Sequence, residues 1–280
     1  MTALLFGRIW SWLRSQDIRA VLTSPRSTHH PAYMAWSPCY IIGVLAVLSQ
    51  GCSSSSTSFA EVPCDATSAY QYNAIFKPCR HFTYNAKYWN EDFDLLSESL
   101  VRMTITGNPA STNRKDEMEI VIQYDFDEDA IPQVDKYNLN NEFKGREWLR
   151  QVTSVGLDNG LDTWITPFRE NQFAFTQVAP FPSVNLPLEL NKQWTSNLLI
   201  YETWGDWNNQ QLLSHYLVLG LEEITYQNES IQAWHVTSYV DTDFGTSTHD
   251  FWYNETLGFV KMQYKNYQGQ LLIFKLLNTD

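Results

Sequence analysis

The sequence predicts an all-β fold, an antiparallel meander that forms a curved sheet, half-barrel or barrel behind an N-terminal leader segment. From about residue 98 onward, hydrophobic and polar residues alternate with period two, which is typical of strands with one buried face. Turn-forming residues interrupt this alternation at regular spacing, as expected for a meander. Aromatic residues make up 15% of the 280 residues, and strands favour them.

A hairpin is the first element expected. Hydrophobic side chains alternate with polar ones through residues 101–105 and again through residues 118–126, and the polar stretch 107–117 is interpreted as the turn between them. A short helix is predicted for residues 145–152. The C-terminal hundred residues predict six further strands, near residues 194–203, 212–225, 231–240, 246–253, 257–265 and 269–277.

The first 51 residues are interpreted as a leader. Residues 41–48 form an apolar run that is too short to span a bilayer, which takes roughly 20 residues, but that fits a signal-peptide core of about 7–15 residues. Four arginines lie upstream of this run. Met34 is an alternative start, although a chain beginning there lacks positive charge before the apolar run.

The segment that follows the apolar run, Leu48-Ser-Gln-Gly-Cys52, resembles a bacterial lipobox, the motif at which signal peptidase II cuts before a diacylated cysteine. Gly51 matches the motif, whereas Ser49 stands where the motif has Leu. The resemblance implies that Cys52 is the lipidated first residue of an exported protein of the cell envelope. The alternative is cleavage nearby by signal peptidase I, which leaves Cys52 free.

Two cysteines, Cys64 and Cys79, remain in the exported part after the lipidation site. Export means oxidising conditions, in which such a pair usually closes, so a disulfide is expected. Metal binding is the alternative, but a structural zinc site wants four ligands and no histidine lies close to the pair.

Three segments follow from this interpretation: the leader 1–51, a lipid-anchored tether 52–77 and a single antiparallel β domain 78–280. The serine-rich stretch 53–63 predicts a flexible coil that spans about 18 Å. The net charge is −12, and residues 1–51 carry four arginines and one aspartate, which leaves −15 on the remainder. Such a chain repels the phosphate backbone, so nucleic acid is not expected as a partner.

Three motifs in the C-terminal part resemble the DUF3108-like, or TapB-like, family of exported bacterial proteins. They are Phe181-Pro-Ser-Val-Asn-Leu-Pro-Leu-Glu-Leu-Asn-Lys-Gln-Trp194, Ala233-Trp-His-Val236 and the hairpin Thr248-His-Asp-Phe-Trp-Tyr-Asn-Glu-Thr-Leu-Gly-Phe-Val-Lys261. The family has Gly where Asn191 stands here, and Asn also tolerates positive φ. The resemblance covers about residues 180–277. It implies a barrel-like or half-barrel β domain and no catalytic residues.

Motifs of common enzymes, such as Gly-x-Ser-x-Gly, His-Glu-x-x-His or a Walker loop, do not occur in the sequence, and no cofactor or metal is expected. Four dispersed histidines are assigned structural or surface roles: His81, His215, His235 and His249. The alternating Asp125, Asp127 and Asp129 begin like a calcium loop, but Ala130 and Lys136 occupy the places of its Gly and bidentate Glu. A second polar cluster comprises Asp241, Asp243, His249 and Asp250. We interpret it as a polar turn, and the alternative is a cation site or an acid–base site.

Trp204 and Trp207 flank a predicted turn beside amide side chains. They predict either an aromatic platform for a sugar or apolar ligand or two rings that pack over the end of the sheet, and the second interpretation is favoured. Trp204 is expected to be the ring that stabilises the fold, and Trp207 the one that contacts a ligand.

Three functional hypotheses follow. The first is a non-enzymatic cell-envelope lipoprotein, held to the membrane by its lipid, that binds an apolar ligand, a glycan or another envelope protein. The second is an enzyme that acts on envelope polymers through carboxylates, with Asp241, Asp243 and Glu202 as candidates; a retaining glycosidase needs two carboxyl groups about 5–5.5 Å apart. The third is a structural partner in a surface complex, favoured if an edge strand is long and uncovered.

Overall fold

The protein is described by a computed structural model over residues 59–67, 75–111 and 114–280, with backbone alone for residues 114–116. The described residues belong to one compact unit, Ser55–Asp280. The predicted leader, Met34 and Cys52 lie outside the described residues. Within the described ranges, no helix is long and apolar enough to cross a membrane.

Twelve antiparallel strands in the described part form a single sheet, which confirms the predicted all-β fold class. The strands are β1 His81–Trp89, β2 Leu95–Ser111, β3 Arg114–Asp125, β4 Gln151–Asp158, β5 Asp162–Ile165, β6 Ser183–Asn185, β7 Gln193–Leu199, β8 Gln211–Tyr226, β9 Glu229–Thr242, β10 Gly245–Asn254, β11 Gly258–Lys265 and β12 Leu271–Thr279. Each strand pairs with its neighbours in sequence, except that β6 does not pair with β7. In addition, the first strand, β1, pairs with the last, β12.

The two edges of the sheet are therefore β6 and β7, which follow each other in the chain, and the sheet is a nearly closed barrel. Lys192, directly before β7, reaches across the gap. Its Nζ donates hydrogen bonds to the carbonyl oxygens of Asn185 (2.7 Å) and Pro187 (2.8 Å) at the end of β6. A side chain thus closes part of the seam that backbone pairing leaves open.

The helices of the described part are short. One α-helix, α1, covers Ile131–Asp135, and 3₁₀ helices cover Glu128–Ala130, Asn171–Val178 and Gly205–Trp207. The predicted helix at residues 145–152 is wrong, because residues 145–150 form a loop and β4 begins at Gln151. β4 contains β-branched residues, which favour strands. It also contains Gly156, where a Cβ would lie 2.8 Å from the terminal methyl of Met118.

The strands predicted for the C-terminal part and the hairpin of β2 and β3 are all present. The turn predicted for residues 107–117 is too long, since β2 continues to Ser111 and β3 begins at Arg114. The register of the two strands shifts between Ile105 and Pro109, so an irregular but still paired stretch replaces the expected turn.

The concave side of the sheet is filled by the protein itself. The segment between β5 and β6, residues 166–182, packs inside the barrel, and most of its side chains are buried. Phe168 lies 5.2 Å from Tyr84 and 5.0 Å from Phe274 between ring centroids. Phe173 contacts the same Phe274 ring at 5.1 Å. This internal segment occupies the space in which an open barrel of this kind would hold an apolar ligand.

The predicted disulfide between Cys64 and Cys79 is present, with the two Cα atoms 5.3 Å apart. It fastens the residues before it to β2, where the backbone N–H of Asp65 donates to the carbonyl of Thr106 at 2.7 Å. Val62 is buried. The predicted tether therefore includes residues that pack on the sheet, which shortens the stretch left to act as a flexible spacer.

Candidate functional site

One rim of the barrel carries a cleft of about 380 Å³, which we call the rim cleft. Three loops form it: the loop between α1 and β4, the chain that enters the 3₁₀ helix Asn171–Val178, and the loop between β7 and β8. Its walls include Phe143, Arg146, Trp148, Arg169, Glu170 and Trp204. The volume lies within the range of about 300–1,000 Å³ that is usual for small-molecule sites.

Trp204 stands in the wall of the rim cleft with its ring half-buried. Its backbone N–H donates to Asn208 Oδ1 at 2.8 Å, and its carbonyl accepts from Asn140 Nδ2 at 2.6 Å. The indole meets Phe143 edge to face, with ring centroids 5.3 Å apart and an interplanar angle of 77°. The ring is thus fixed in place while one part of it borders the cleft.

Two neighbouring charged residues, Arg169 and Glu170, line the same cleft. The guanidinium carbon of Arg169 is 5.2 Å from the Trp204 ring centroid, and its Nη1 donates to Gln177 Oε1 at 2.7 Å. Burial lowers the pKa of Arg169. Burial also raises the pKa of the neighbouring Glu170, and the positive charges of Arg169 and Arg146 only partly oppose this effect. Partly desolvated charges in a cleft are typical of binding and catalytic sites.

The loops around the cleft are held by unusual backbone conformations. Asn171 adopts φ 59°. Its side chain forms two hydrogen bonds with the facing loop, accepting from the N–H of Leu149 (2.8 Å) and donating to the carbonyl of Leu149 (2.9 Å). Thr203, which lines the cleft, has φ 94°. A β-branched residue at positive φ is a strained outlier, and such strain is concentrated at functional sites.

The rim cleft combines aromatic faces with hydrogen-bonding groups of both kinds. Trp148, Trp204 and Phe143 supply apolar ring surface, whereas Arg146 and Arg169 donate and Glu170 accepts. The two arginines are balanced by Glu147 and Glu170, so the titratable lining carries no net charge. This composition suits a ligand with an apolar face and polar edges.

The structure reverses the roles expected for the two tryptophans. Trp207 is fully buried, with 0% of its surface exposed, and its Nε1 donates to the hydroxyl of Tyr267 at 3.3 Å. A ring without exposed surface cannot contact a ligand, so the expectation that Trp207 is the ligand-facing residue is wrong. Trp204 borders the cleft instead. The reason is the 3₁₀ turn Gly205–Trp207, which directs the second ring back into the core.

The carboxylates considered in the sequence do not converge on one site. Asp241 accepts from Thr246, and Asp243 accepts from Gln210, both at exposed positions. His249 is fully buried on the inner face of β10, whereas Asp250 points outward to His235. In the part of the chain that the structure describes, no group of three His, Cys, Asp or Glu side chains is placed to hold a metal.

The Asp125–Asp129 alternation that resembles half a calcium loop serves local structure. Asp127 caps the 3₁₀ helix Glu128–Ala130, its side chain accepting from the N–H of Asp129 at 3.0 Å. Arg150 bonds to Glu128 at 2.7 Å and lies 3.9 Å from Asp125. These contacts join the end of β3 to the start of β4.

Sequence reasoning missed an ion-pair cluster on the outer face of β8, β9 and β10. Both nitrogens of His235 meet carboxylates, Nδ1 with Glu222 at 2.8 Å and Nε2 with Asp250 at 3.1 Å. Burial lowers the pKa of His235, but its hydrogen bonds to Asp250 and Glu222 outweigh burial and raise the pKa above its ordinary value. The His235 ring stacks on the Trp252 ring, with centroids 4.3 Å apart. Lys261 Nζ lies 3.8 Å from the centroid of the Trp252 ring. All these groups have partners, so the cluster ties the strands together.

The fold and the cleft define an all-β protein with an internally filled, nearly closed sheet and a small cleft on its rim. No family model matches the chain, and no curated protein matches it significantly. The resemblance to DUF3108-like proteins therefore stays a prediction.

Three solved structures are similar to parts of the fold. One is a Bacteroides fragilis protein assigned to exported proteins with a YmcC-like fold (TM-score 0.43, 13% identity, covering 75% of this chain and 98% of that one). Another is a Parabacteroides distasonis protein classed as a lipoprotein (TM-score 0.38, 8% identity, 78% and 100% covered). The third is the hypothetical lipoprotein YmcC of Escherichia coli (TM-score 0.34, 8% identity, 76% and 92% covered). These values give no basis for transferring a function from any of them.

Proposed function

We propose that the protein is a lipid-anchored, non-enzymatic binding protein of the bacterial cell envelope that holds a polar ligand in the rim cleft. The observation that carries the binding part is the pairing of Arg169 with the half-exposed Trp204 ring in a cleft of about 380 Å³. The anchor part rests on the apolar run and on the lipobox resemblance around Cys52.

The site favours binding over catalysis. Burial raises the pKa of Glu170, as it does in a general acid, but the charged neighbours that act on this carboxyl group are Arg169 and Arg146 rather than a second carboxylate. The carboxylates that an envelope-polymer enzyme would use, Asp241 and Asp243, bond instead to Thr246 and Gln210 beside an exposed turn. Neither aspartate lines the rim cleft.

A rim site also fits the filled interior better than an apolar ligand inside the barrel does. The phenylalanines of residues 166–182 occupy the concave side of the sheet, with Phe168 packed between Tyr84 and Phe274. An apolar ligand would have to displace this core. The rim cleft, where three loops meet, is open to solvent and lined in part by polar groups.

The alternative of a structural partner in a surface complex has one feature in its favour. β7 is an edge strand of seven residues, and most of its side chains are exposed. Edge strands can pair with a strand of another chain. Lys192 already bonds across the gap beside the start of β7, which covers one end of this edge.

The experiment that tests the proposal uses the intact protein, extracted from membranes of the producing bacterium in mild detergent. Fatty-acid labelling of the wild type and of Cys52→Ala tests the anchor, and we expect label in the wild type alone. Native mass spectrometry of the same material identifies what is bound. A small polar ligand bound to the protein supports the proposal. One apolar lipid bound per protein molecule contradicts it. One partner protein bound per protein molecule supports the surface-complex alternative instead.

A further inference from the structure

A second cleft, of about 300 Å³, lies next to the rim cleft and shares a wall with it. We call it the inner cleft, and its walls include Leu96, Ser97, Ser99, Phe126, Trp148 and Gln172. Trp148 lines both clefts, so one indole separates two spaces of similar size. The arrangement offers two neighbouring ring-sized spaces along one side of the rim.

The wall of the inner cleft holds polar atoms whose hydrogen bonding is not fulfilled. Ser97 Oγ, Ser99 Oγ and Gln172 Oε1 are buried, and none of them has a hydrogen-bond partner within the described ranges. Gln172 as a whole is only 6% exposed. Since buried polar groups are almost always hydrogen-bonded, three such atoms in one cleft wall indicate a site that a bound molecule completes.

Two carboxylates also line the inner cleft: Glu98, which pairs with Lys87 at 3.1 Å, and Asp127, which caps the 3₁₀ helix Glu128–Ala130. The wall residues other than these, the serines and Gln172 are apolar. Phe126 and Trp148 meet edge to face, with ring centroids 5.2 Å apart, and Leu96 adds aliphatic surface. A fatty acid would match this surface but would leave the serine and glutamine oxygens unpaired. A sugar ring matches both features, because its C–H face packs on an aromatic ring while its hydroxyl groups donate and accept around the edge.

The geometry points to an uncharged oligosaccharide that occupies both clefts, one sugar ring on each side of Trp148; this inference rests on the proposed function of the rim cleft. Charges balance in the rim cleft, Arg146 and Arg169 against Glu147 and Glu170, and the two carboxylates of the inner cleft already have partners, Glu98 in Lys87 and Asp127 in the N–H of Asp129. This arrangement favours a ligand without net charge. A peptide fits less well, since extended peptides usually pair with a free sheet edge. The inner cleft borders β2, which is paired on both sides by β1 and β3.

The test measures binding of N-acetylglucosamine oligomers of one to four units to the full-length protein by calorimetry. We expect the disaccharide to bind at least about tenfold more tightly than the monosaccharide, with little further gain for longer oligomers. Ser97→Ala and Gln172→Met should each weaken disaccharide binding about 3- to 10-fold, the loss expected for one hydrogen bond, and leave monosaccharide binding unchanged.

The matched control is Ser111→Ala, because Ser111 lies at the opposite end of the same strand and is exposed. We expect it to bind all oligomers like the wild type. Equal affinity for one and two sugar units, or loss of monosaccharide binding in Ser97→Ala, overturns the second sugar site while the rim cleft stands. Failure of every oligomer to bind overturns the sugar assignment. The proposed function is tested separately, and it fails if membrane-extracted protein carries no ligand that depends on Trp204.

Discussion

The His249 ring stacks face to face on Tyr264, with ring centroids 3.8 Å apart and an interplanar angle of 5°. The two residues are direct partners on β10 and β11, and both are fully buried. Among the described residues, the backbone of Pro180 comes near enough to act on the ring's protonation, and it does so without a well-formed hydrogen bond. Burial lowers the pKa of His249 to about 3, so the folded protein keeps this ring neutral.

His249 should therefore make the protein sensitive to acid. The unfolded chain protonates the ring near its ordinary pKa of about 6.5, whereas the folded protein does not until about pH 3. Stability is thus lost as the pH falls below about 6.5, with a slope of up to about 1.4 kcal/mol per pH unit from this residue. We expect His249→Phe to have a flatter dependence of the unfolding free energy on pH between 4 and 6 in denaturant titrations.

Phe251→Leu is the control for that comparison, since Phe251 lies on the same face of β10 and carries no titratable group. It should lower stability at every pH while its curve keeps the wild-type slope. Parallel curves of unfolding free energy against pH for the wild type and His249→Phe would show that the buried ring does not cause the loss of stability in acid.

Replacing Trp204 and replacing Trp207 should lower the unfolding free energy by different amounts. Trp207 is fully buried and packs against Phe143 at 5.9 Å, so Trp207→Ala should lower the unfolding free energy by about 3–5 kcal/mol. Trp204 is half-buried, and we expect a smaller loss for Trp204→Ala. Thermal and denaturant melts of both variants measure the difference, and an equal or larger loss in Trp204→Ala would contradict the assigned positions.

Removing the disulfide should loosen the start of the described chain. The double variant Cys64→Ser, Cys79→Ser loses the closure of a loop of 15 residues, worth about 3 kcal/mol in the chain-entropy model. We expect that loss in denaturant melts, together with faster proteolysis near Val62. A variant as stable as the wild type under oxidising conditions would show that the hydrogen bonds to β2 are sufficient to hold the segment.

The sheet was largely predictable because most strands have one buried face. β8 to β12 and the hairpin of β2 and β3 show clear alternation and turn residues between strands. β1 also alternates, with Phe82 and Tyr84 buried on one face, although the predicted strands begin only near residue 98. The helix predicted for residues 145–152 was also wrong, since a loop and the start of β4 occupy this stretch.

The internal segment and the cleft could not be predicted, for a physical reason. Residues 166–182 are buried by the curvature of the whole sheet rather than by a periodic pattern of their own. Arg169 meets Trp204 only because that segment and the loop after β7 arrive at the same rim. The tryptophan pair pointed to the correct loop, but which ring faces solvent depends on the 3₁₀ turn Gly205–Trp207.

The measurement that tests the central claim most directly is the ligand content of the intact protein with and without the Trp204 ring. Wild type, Trp204→Ala and Tyr201→Ala are extracted from the same membranes and weighed by native mass spectrometry. Tyr201 is the control, because it is an exposed aromatic residue of the same loop that does not line the cleft. We expect a bound small molecule in the wild type and in Tyr201→Ala and its loss from folded Trp204→Ala. A ligand retained in Trp204→Ala, or absent from the wild type, would contradict the assignment of the rim cleft as the binding site.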